Sequence, residues 1–228
     1  SNKGVAHDGE VATRLGLAPI PVCAETIALS NIILLAREIG VRVHVCRISS
    51  AESVAMIRTA KQQKLPITCD VSINHLHLSE MDIGFFNTNC HLIPPLRNMQ
   101  DRDSLRAGLI DGTIDAICSD HAPIDDDAKL LPFGESEAGA SGLELLLSLT
   151  LKWANSMHLS LTDGLRSITE IPASILAIDA GHLSPGAAAD ICIFDPETYW
   201  KVTPTTLKSQ GKNTPFMGME LPGCVKYT

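Results

Sequence analysis

Strand-like and helix-like patterns alternate through most of the chain, and this alternation restricts the fold more than any other feature. "VRVHVC" (41–46), "LPITCDV" (65–71) and "IDAIC" (114–118) read as buried strands. Helix patterns separate them. "AETIALSNIILLAREIG" carries apolar residues on more than one helical face and stops at Gly40, a C-cap glycine. Ser49 and Glu52 have the spacing of a capping box ahead of "AESVAMIRTAKQQ", and Ser141 and Glu144 repeat it ahead of "GLELLLSLTLKWA". "DRDSLRAGLIDG" is a short helix stopped by Gly112. Such alternation predicts an α/β fold with a parallel sheet, and both a doubly wound sheet and a TIM barrel satisfy it. From about Gly181 the texture changes to short β runs punctuated by Gly and Pro. The expected division is therefore 1–179 and 180–228, the second part forming a small β domain.

Composition narrows the function classes. Hydrophobic residues make up 45% of the 228, enough for a packed core, but aromatics are only 4%, so Leu, Ile, Val and Ala must fill it. A net charge of −8 without a basic run argues against nucleic acid as a partner. No apolar run reaches the ~18 residues of a membrane span, and the opening residues lack a signal-peptide pattern, so a cytoplasmic protein is expected. None of the seven cysteines sits in a C-x-x-C pair, which fits reduced, buried thiols.

In a β/α barrel, chemistry sits at the C-terminal ends of the strands. Three such ends are Arg47-Ile48-Ser49, Ser72-Ile73-Asn74-His75 and Ser119-Asp120-His121. Asp120, a carboxylate closing a buried strand, needs a hydrogen bond, a counter-charge or a metal; it either ligates or caps the next turn. Asp125-Asp126-Asp127 reads as a solvated loop, because consecutive acids converge poorly on one ion. His75-Leu76-His77, if on a strand, would turn both rings to one face, a zinc spacing that still lacks a third ligand. His44 alternates within its strand and reads as a satisfied core or interface histidine. No nucleophile elbow, Walker loop or Rossmann fingerprint is present.

Longer motifs carry a resemblance. "SDHAP" followed by "KLLPFGESEAGASGLE" resembles the eighth-strand region of dihydroorotases, in the cyclic amidohydrolase superfamily. "NKGVAHDGEVATRLGLAPIPVCAE", "IPPLR", "GHLSPGAAADICIFD" and "SQGKNTPFMGMELPGCVKYT" resemble further segments of that family, in the same order. The resemblance implies the C-terminal part of a TIM (β/α)8 barrel followed by a small β-sandwich element. It also implies zinc chemistry on the dihydroorotate/N-carbamoyl-aspartate pair, with Asp120 as metal ligand and proton shuttle and the stretch at Ala138 and Gly139 touching substrate.

The individual positions depart from the family pattern. Arg47 stands where the family has a metal-binding His, Ile93 where it has a substrate-binding Asn, and Ile124 where it has a substrate-binding His. Arginine has no lone pair to offer zinc, and two isoleucines remove hydrogen bonds that a polar substrate requires. The expectation is a catalytically inactive homologue that binds no zinc. Asp120 would be a relic paired with Arg47 at about 2.7–3.2 Å. The resemblance further implies an oligomeric structural partner of aspartate transcarbamoylase. Two other readings stand beside it: a zinc-dependent dihydroorotase whose upstream half is missing from this chain, and a hydrolase of another cyclic amide.

Overall fold

The computed structural model describes residues 4–228. The chain opens with two short strands, β1 (Ala6–His7) and β2 (Pro19–Ile20), paired in parallel around helix α1 (Glu10–Leu15). Helix α2 (Cys23–Ile39) then leads to β3 (Val43–Val45), α3 (Ala51–Gln62) and β4 (Ile67–Ser72). A single turn, α4 (Ile73–His77), follows β4 directly, and α5 (Met99–Ile110) leads to β5 (Ala116–Cys118). Strands β3, β4 and β5 form one parallel sheet in that order. The three strands expected from sequence are thus present, each within about two residues of its expected bounds.

Alternation along the strands separates two faces. Ile67, Cys69 and Val71 turn to the helices and are buried, and they pack with Val54 and Ile57 of α3 and Leu105 of α5. His44, Asp70 and Cys118 turn to the other face, where they line one cleft. Among the described residues, the outer edges of β3 and β5 carry no strand partner. Helix α2 ends where expected, with Gly40 in the left-handed region (φ 71°) and its N–H on the Ala36 carbonyl. Leu29, Ile33 and Ala36 are buried, whereas Ile27, Leu34, Leu35 and Ile39 are 54–69% exposed. The two-faced apolar pattern of α2 is therefore half satisfied within the described chain.

Neither expected capping box forms. Ser50, not Ser49, caps α3, accepting the Ser53 N–H, while Ser49 is diverted to the carboxylate of Glu25. Ser141 donates to Gly211 O and Asn213 Oδ1, and Glu144 accepts the backbone N–H groups of Lys208 and Ser209. A 3-10 turn at Leu143–Leu145 precedes the helix instead. In both cases a tertiary acceptor wins over the local cap, because a buried hydroxyl takes whichever partner the fold brings.

After β5 come the short helix α6 (Asp126–Lys129), then α7 (Leu146–Ser156), α8 (Leu161–Arg166) and α9 (Glu170–Leu176). The chain closes with β6 (Ile193–Lys201) and β7 (Glu220–Tyr227), one antiparallel pair; a second sheet, as a sandwich requires, is not present among the described residues. Val202, Leu207, Phe216 and Leu221 join the main core, and Trp200 Nε1 donates to Ser148 Oγ of α7 at 3.0 Å. Each fully buried side chain of this size contributes on the order of 1.5–3 kcal/mol. Asp125, Asp126 and Asp127 are exposed, as expected, although Asp126 and Asp127 open α6 rather than lying in a loop. Among the described residues, no helix is long and apolar enough to cross a membrane.

Candidate functional site

Arg47 leaves β3 and Asp120 leaves β5, on either side of the central β4. Their side chains meet with Arg47 NH1 3.0 Å from Asp120 Oδ1. The same NH1 reaches the Ile93 carbonyl at 3.4 Å. Both residues adopt positive φ, 58° for Arg47 and 49° for Asp120. Left-handed backbone at a residue other than glycine costs about 1 kcal/mol or more and persists where the surroundings enforce it. At Arg47 one such constraint is visible: its N–H donates to Asp70 Oδ1 at 2.8 Å. The Asp120 hydrogen bond raises the Arg47 guanidinium above its already high ordinary value.

Ile93 is 59% exposed and, with Ala138, lines a cleft of about 970 Å³ whose wall includes Phe86, His91 and Phe133. Arg47, Asp120 and Ile124 lie outside that lining. Ile124 is half-buried and its side chain lies near Gly139. Gly139 (φ 146°) is placed by its N–H to His91 O at 2.9 Å. The structure thus joins Arg47 to Asp120 and to the Ile93 carbonyl, while Ala138 shares the cleft with Ile93 and Gly139 lies against Ala122 and Ile124.

His75, His77 and His121 serve the fold. His75 and His77 lie on the α4 turn, not a strand, so a two-residue spacing sends their rings apart. His75 Nε2 pairs with Pro95 O at 3.1 Å, and His77 Nε2 with Leu149 O at 2.9 Å. Burial lowers His77 to about 4. The zinc spacing read from His75-Leu76-His77 is therefore corrected. His121 Nδ1 accepts the N–H groups of Gly142 and Leu143, which orients the turn before α7. Asn74 Oδ1 and His75 Nδ1 are buried without a hydrogen-bond partner among the described residues.

Two polar hubs hold the site in place, and single-position reading missed both. Glu25 accepts from Ser49 N at 3.0 Å, from Ser50 Oγ at 3.1 Å and from Ser53 Oγ at 2.5 Å, and also from Ser49 Oγ. Burial pushes its carboxyl up, but the Ser49 and Ser53 hydrogen bonds outweigh it, and the net shift is downward. Arg97, buried, closes this hub with Nε on Ser49 Oγ at 3.0 Å and NH1 on Ile20 O at 2.8 Å. The second hub is Asn213. Its Oδ1 accepts from Ile124 N (3.0 Å) and Ser141 Oγ (2.9 Å), and its Nδ2 donates to Ala122 O (3.0 Å) and Gly139 O (3.1 Å). One side chain near the C-terminus thus ties the Asp120 loop to the Ala138-Gly139 stretch. The signals lay in "IPPLR" and "GKNTPF", motifs that sequence reading matched without assigning each residue a partner.

A metal at Asp120 is not supported by the donors present. The group facing the carboxylate is a guanidinium, which carries five N–H donors and no lone pair. A separate donor set lies on the same face of the sheet. His44, Cys46 and Asp70 place one ligand atom each within 4.8 Å of one another.

A parallel sheet backed by helices, with polar residues at the strand ends, defines a β/α scaffold. The match to the amidohydrolase family model runs over residues 7–228, and the chain belongs to that family. It is 43% identical over 225 residues to a dihydroorotase-like protein of Pseudomonas putida and 40% identical over 225 residues to a dihydroorotase of Syntrophus aciditrophicus. Each comparison covers 99% of this chain and 53% of the relative, so the chain spans about half the length of these relatives. Among solved structures it resembles an L-hydantoinase from Arthrobacter aurescens, with a TM-score of 0.86 and 28% identity over 96% of this chain and 49% of that one. The inactive dihydroorotase-like domain of a Chaetomium thermophilum CAD-like protein shares the fold at a TM-score of 0.63 and 23% identity, over 86% of this chain and 52% of that domain.

Proposed function

We propose that this chain is part of a dihydroorotase-like protein that has kept the amidohydrolase scaffold and lost its hydrolysis. The observation that carries this reading is the Arg47–Asp120 ion pair at 3.0 Å. A fixed cation neutralises the carboxylate that would otherwise hold a metal and shuttle a proton, so Asp120 has neither task left. Ile93 and Ile124 add to the loss, since both offer only backbone polar groups where a polar substrate would need side-chain partners. The Chaetomium thermophilum domain, named as inactive, supports the idea that such a scaffold outlives its chemistry.

In this reading β3, β4 and β5 are the last three strands of a TIM barrel. The open edges of β3 and β5 and the exposed apolar residues of α2 are the surfaces the remaining strands and helices would cover. The role left to the protein is structural, as an oligomeric cytoplasmic partner of aspartate transcarbamoylase. A cyclic amide hydrolase of hydantoinase type is the second reading, favoured by the likeness to the Arthrobacter aurescens enzyme; it too needs a nucleophile that Asp120, held by Arg47, is badly placed to activate.

The test is an assay of the intact protein with dihydroorotate, N-carbamoyl-aspartate and hydantoin. No turnover above the level of an Asp120→Ala variant is expected. Turnover that Asp120→Ala abolishes would overturn the inactive reading. Co-expression with the host's aspartate transcarbamoylase, followed by size-exclusion chromatography, tests the partner; separate elution removes that part of the proposal.

A further inference from the structure

The geometry points to a binding site for a zinc-class divalent cation formed by His44, Cys46 and Asp70, on the sheet face below the Arg47–Asp120 pair. His44 and Asp70 come from neighbouring strands in adjacent register, and Cys46 directly follows β3. Imidazole nitrogen, thiolate sulfur and a carboxylate oxygen are the donor types that zinc takes in four-coordinate sites. The three ligand atoms lie within 4.8 Å of one another. Tetrahedral zinc sets its donors roughly 3.3–3.8 Å apart, so a small side-chain rotation closes the set.

The surroundings orient the donors as a metal requires. His44 Nδ1 lies 2.8 Å from Thr68 Oγ1, leaving Nε2 to point at Asp70 Oδ2 at 3.0 Å. Thr68 Oγ1 also reaches Val43 O at 3.5 Å. When that hydroxyl gives its proton to Val43, Nδ1 is the ring donor and the Nε2 lone pair is free for a metal; when it donates to Nδ1, Nε2–H donates to Asp70 Oδ2, and a bound cation takes the place of that proton. A second partner on the far ring nitrogen is the usual support of a metal-bound histidine. Asp70 is split in the same way: Oδ1 takes the Arg47 N–H at 2.8 Å, and Oδ2 faces the cluster.

His44, Cys46, Asp70 and Cys118 line one cleft of about 500 Å³, together with Ile117 and Ile175. Cys46 is exposed at the surface, and Asp70 is 8% exposed at the base. Cys118 faces Asp70 as well: burial first, then the Asp70 charge, pushes its thiol up. This set shares no residue with the Arg47–Asp120 pair, and it stands whether or not the protein hydrolyses a cyclic amide.

Cobalt(II) is the probe, because thiolate-bound cobalt gives a near-ultraviolet charge-transfer band that oxygen and nitrogen donors do not. The intact protein is treated with chelator, then titrated with cobalt(II) and competed with zinc(II). One cobalt per chain is expected, with the charge-transfer band and intense visible bands of four-coordinate geometry, all displaced by zinc. Cys46→Ser and His44→Gln should each weaken cobalt binding at least tenfold, with circular dichroism confirming that both remain folded. Asp120→Asn should leave the titration unchanged. No band in the native protein, a band of equal affinity in Cys46→Ser, or its loss in Asp120→Asn would each overturn the site.

Discussion

Arg47 and Asp120 reach across the central strand of the sheet to form an ion pair at 3.0 Å, and both hold left-handed backbone to do so. Arg47 is about half exposed at its side chain (46%), whereas Asp120 is largely covered (13%). Screening of the open guanidinium keeps the pair modest, on the order of 1 kcal/mol. A double-mutant cycle with Arg47→Ala and Asp120→Ala, followed by urea unfolding, should return a coupling of about 1 kcal/mol that shrinks as salt is added. A coupling near zero at low salt would show that the two side chains are merely adjacent.

Asn213 makes four hydrogen bonds to groups that no other side chain serves as a set. Asn213→Ala leaves Ile124 N–H and the carbonyls of Ala122 and Gly139 without this partner. The expected loss is about 2–4 kcal/mol, from several half-buried polar groups stranded at once. Amide exchange should speed up in residues 122–124 before it does so in β4. Uniform acceleration across the chain would place the effect elsewhere.

Gly139 sits at φ 146°, with space for a Cβ only 2.7 Å from Ala122 Cβ and 3.2 Å from Ala122 O. Gly139→Ala is expected to cost about 1–3 kcal/mol through backbone strain and collision with the Asp120 loop. Differential scanning calorimetry checks this, and an unchanged melting temperature would contradict it.

Buried histidines and Glu25 set an acid-side pH dependence of the same sign; burial lowers His7, His75 and His91 as well as His77. Burial holds His77 neutral down to about 4, against an ordinary value of 6.5. Between those values the unfolded chain binds more protons than the folded one, so stability falls as pH drops from about 6.5 to about 4, by up to about 3 kcal/mol. Glu25 follows below. Its folded carboxyl is lowered from the ordinary 4.5, so its contribution is fully present above 4.5 and is lost as pH falls through the folded value. Urea midpoints measured from pH 7 to pH 3 should show both losses. His77→Phe should reduce the upper one, to which His7, His75 and His91 also contribute, and leave the lower.

Glu25→Gln removes the charge but keeps the shape. Arg97, buried beside it, then faces a neutral amide, and Ser49, Ser50 and Ser53 lose a charged acceptor. A cost of about 2–3 kcal/mol is expected from urea unfolding. A smaller effect than that of Arg58→Ala, a surface pair with Asp111, would contradict the role given to this hub.

The sequence by itself determined the strands, their parallel class and the glycine that ends α2, because period-two and period-3.6 patterns and αL caps are local properties. The Arg47–Asp120 pair was legible only through the family resemblance, which puts Arg47 where a metal ligand stands beside the carboxylate. What tertiary structure alone decided was which partner each polar side chain takes. Ser49 and Ser141 have the spacing of caps, yet Glu25 and Asn213 claim them. His75-Leu76-His77 has the spacing of a strand ligand pair, yet the chain turns into α4 right after β4 and each ring finds a different carbonyl. His44 and Asp70 lie 26 positions apart and meet at 3.0 Å only because β3 and β4 run side by side. Local pattern fixes backbone shape, because shape depends on neighbours along the chain. A buried polar atom is satisfied by whatever the fold delivers, and that depends on neighbours in space.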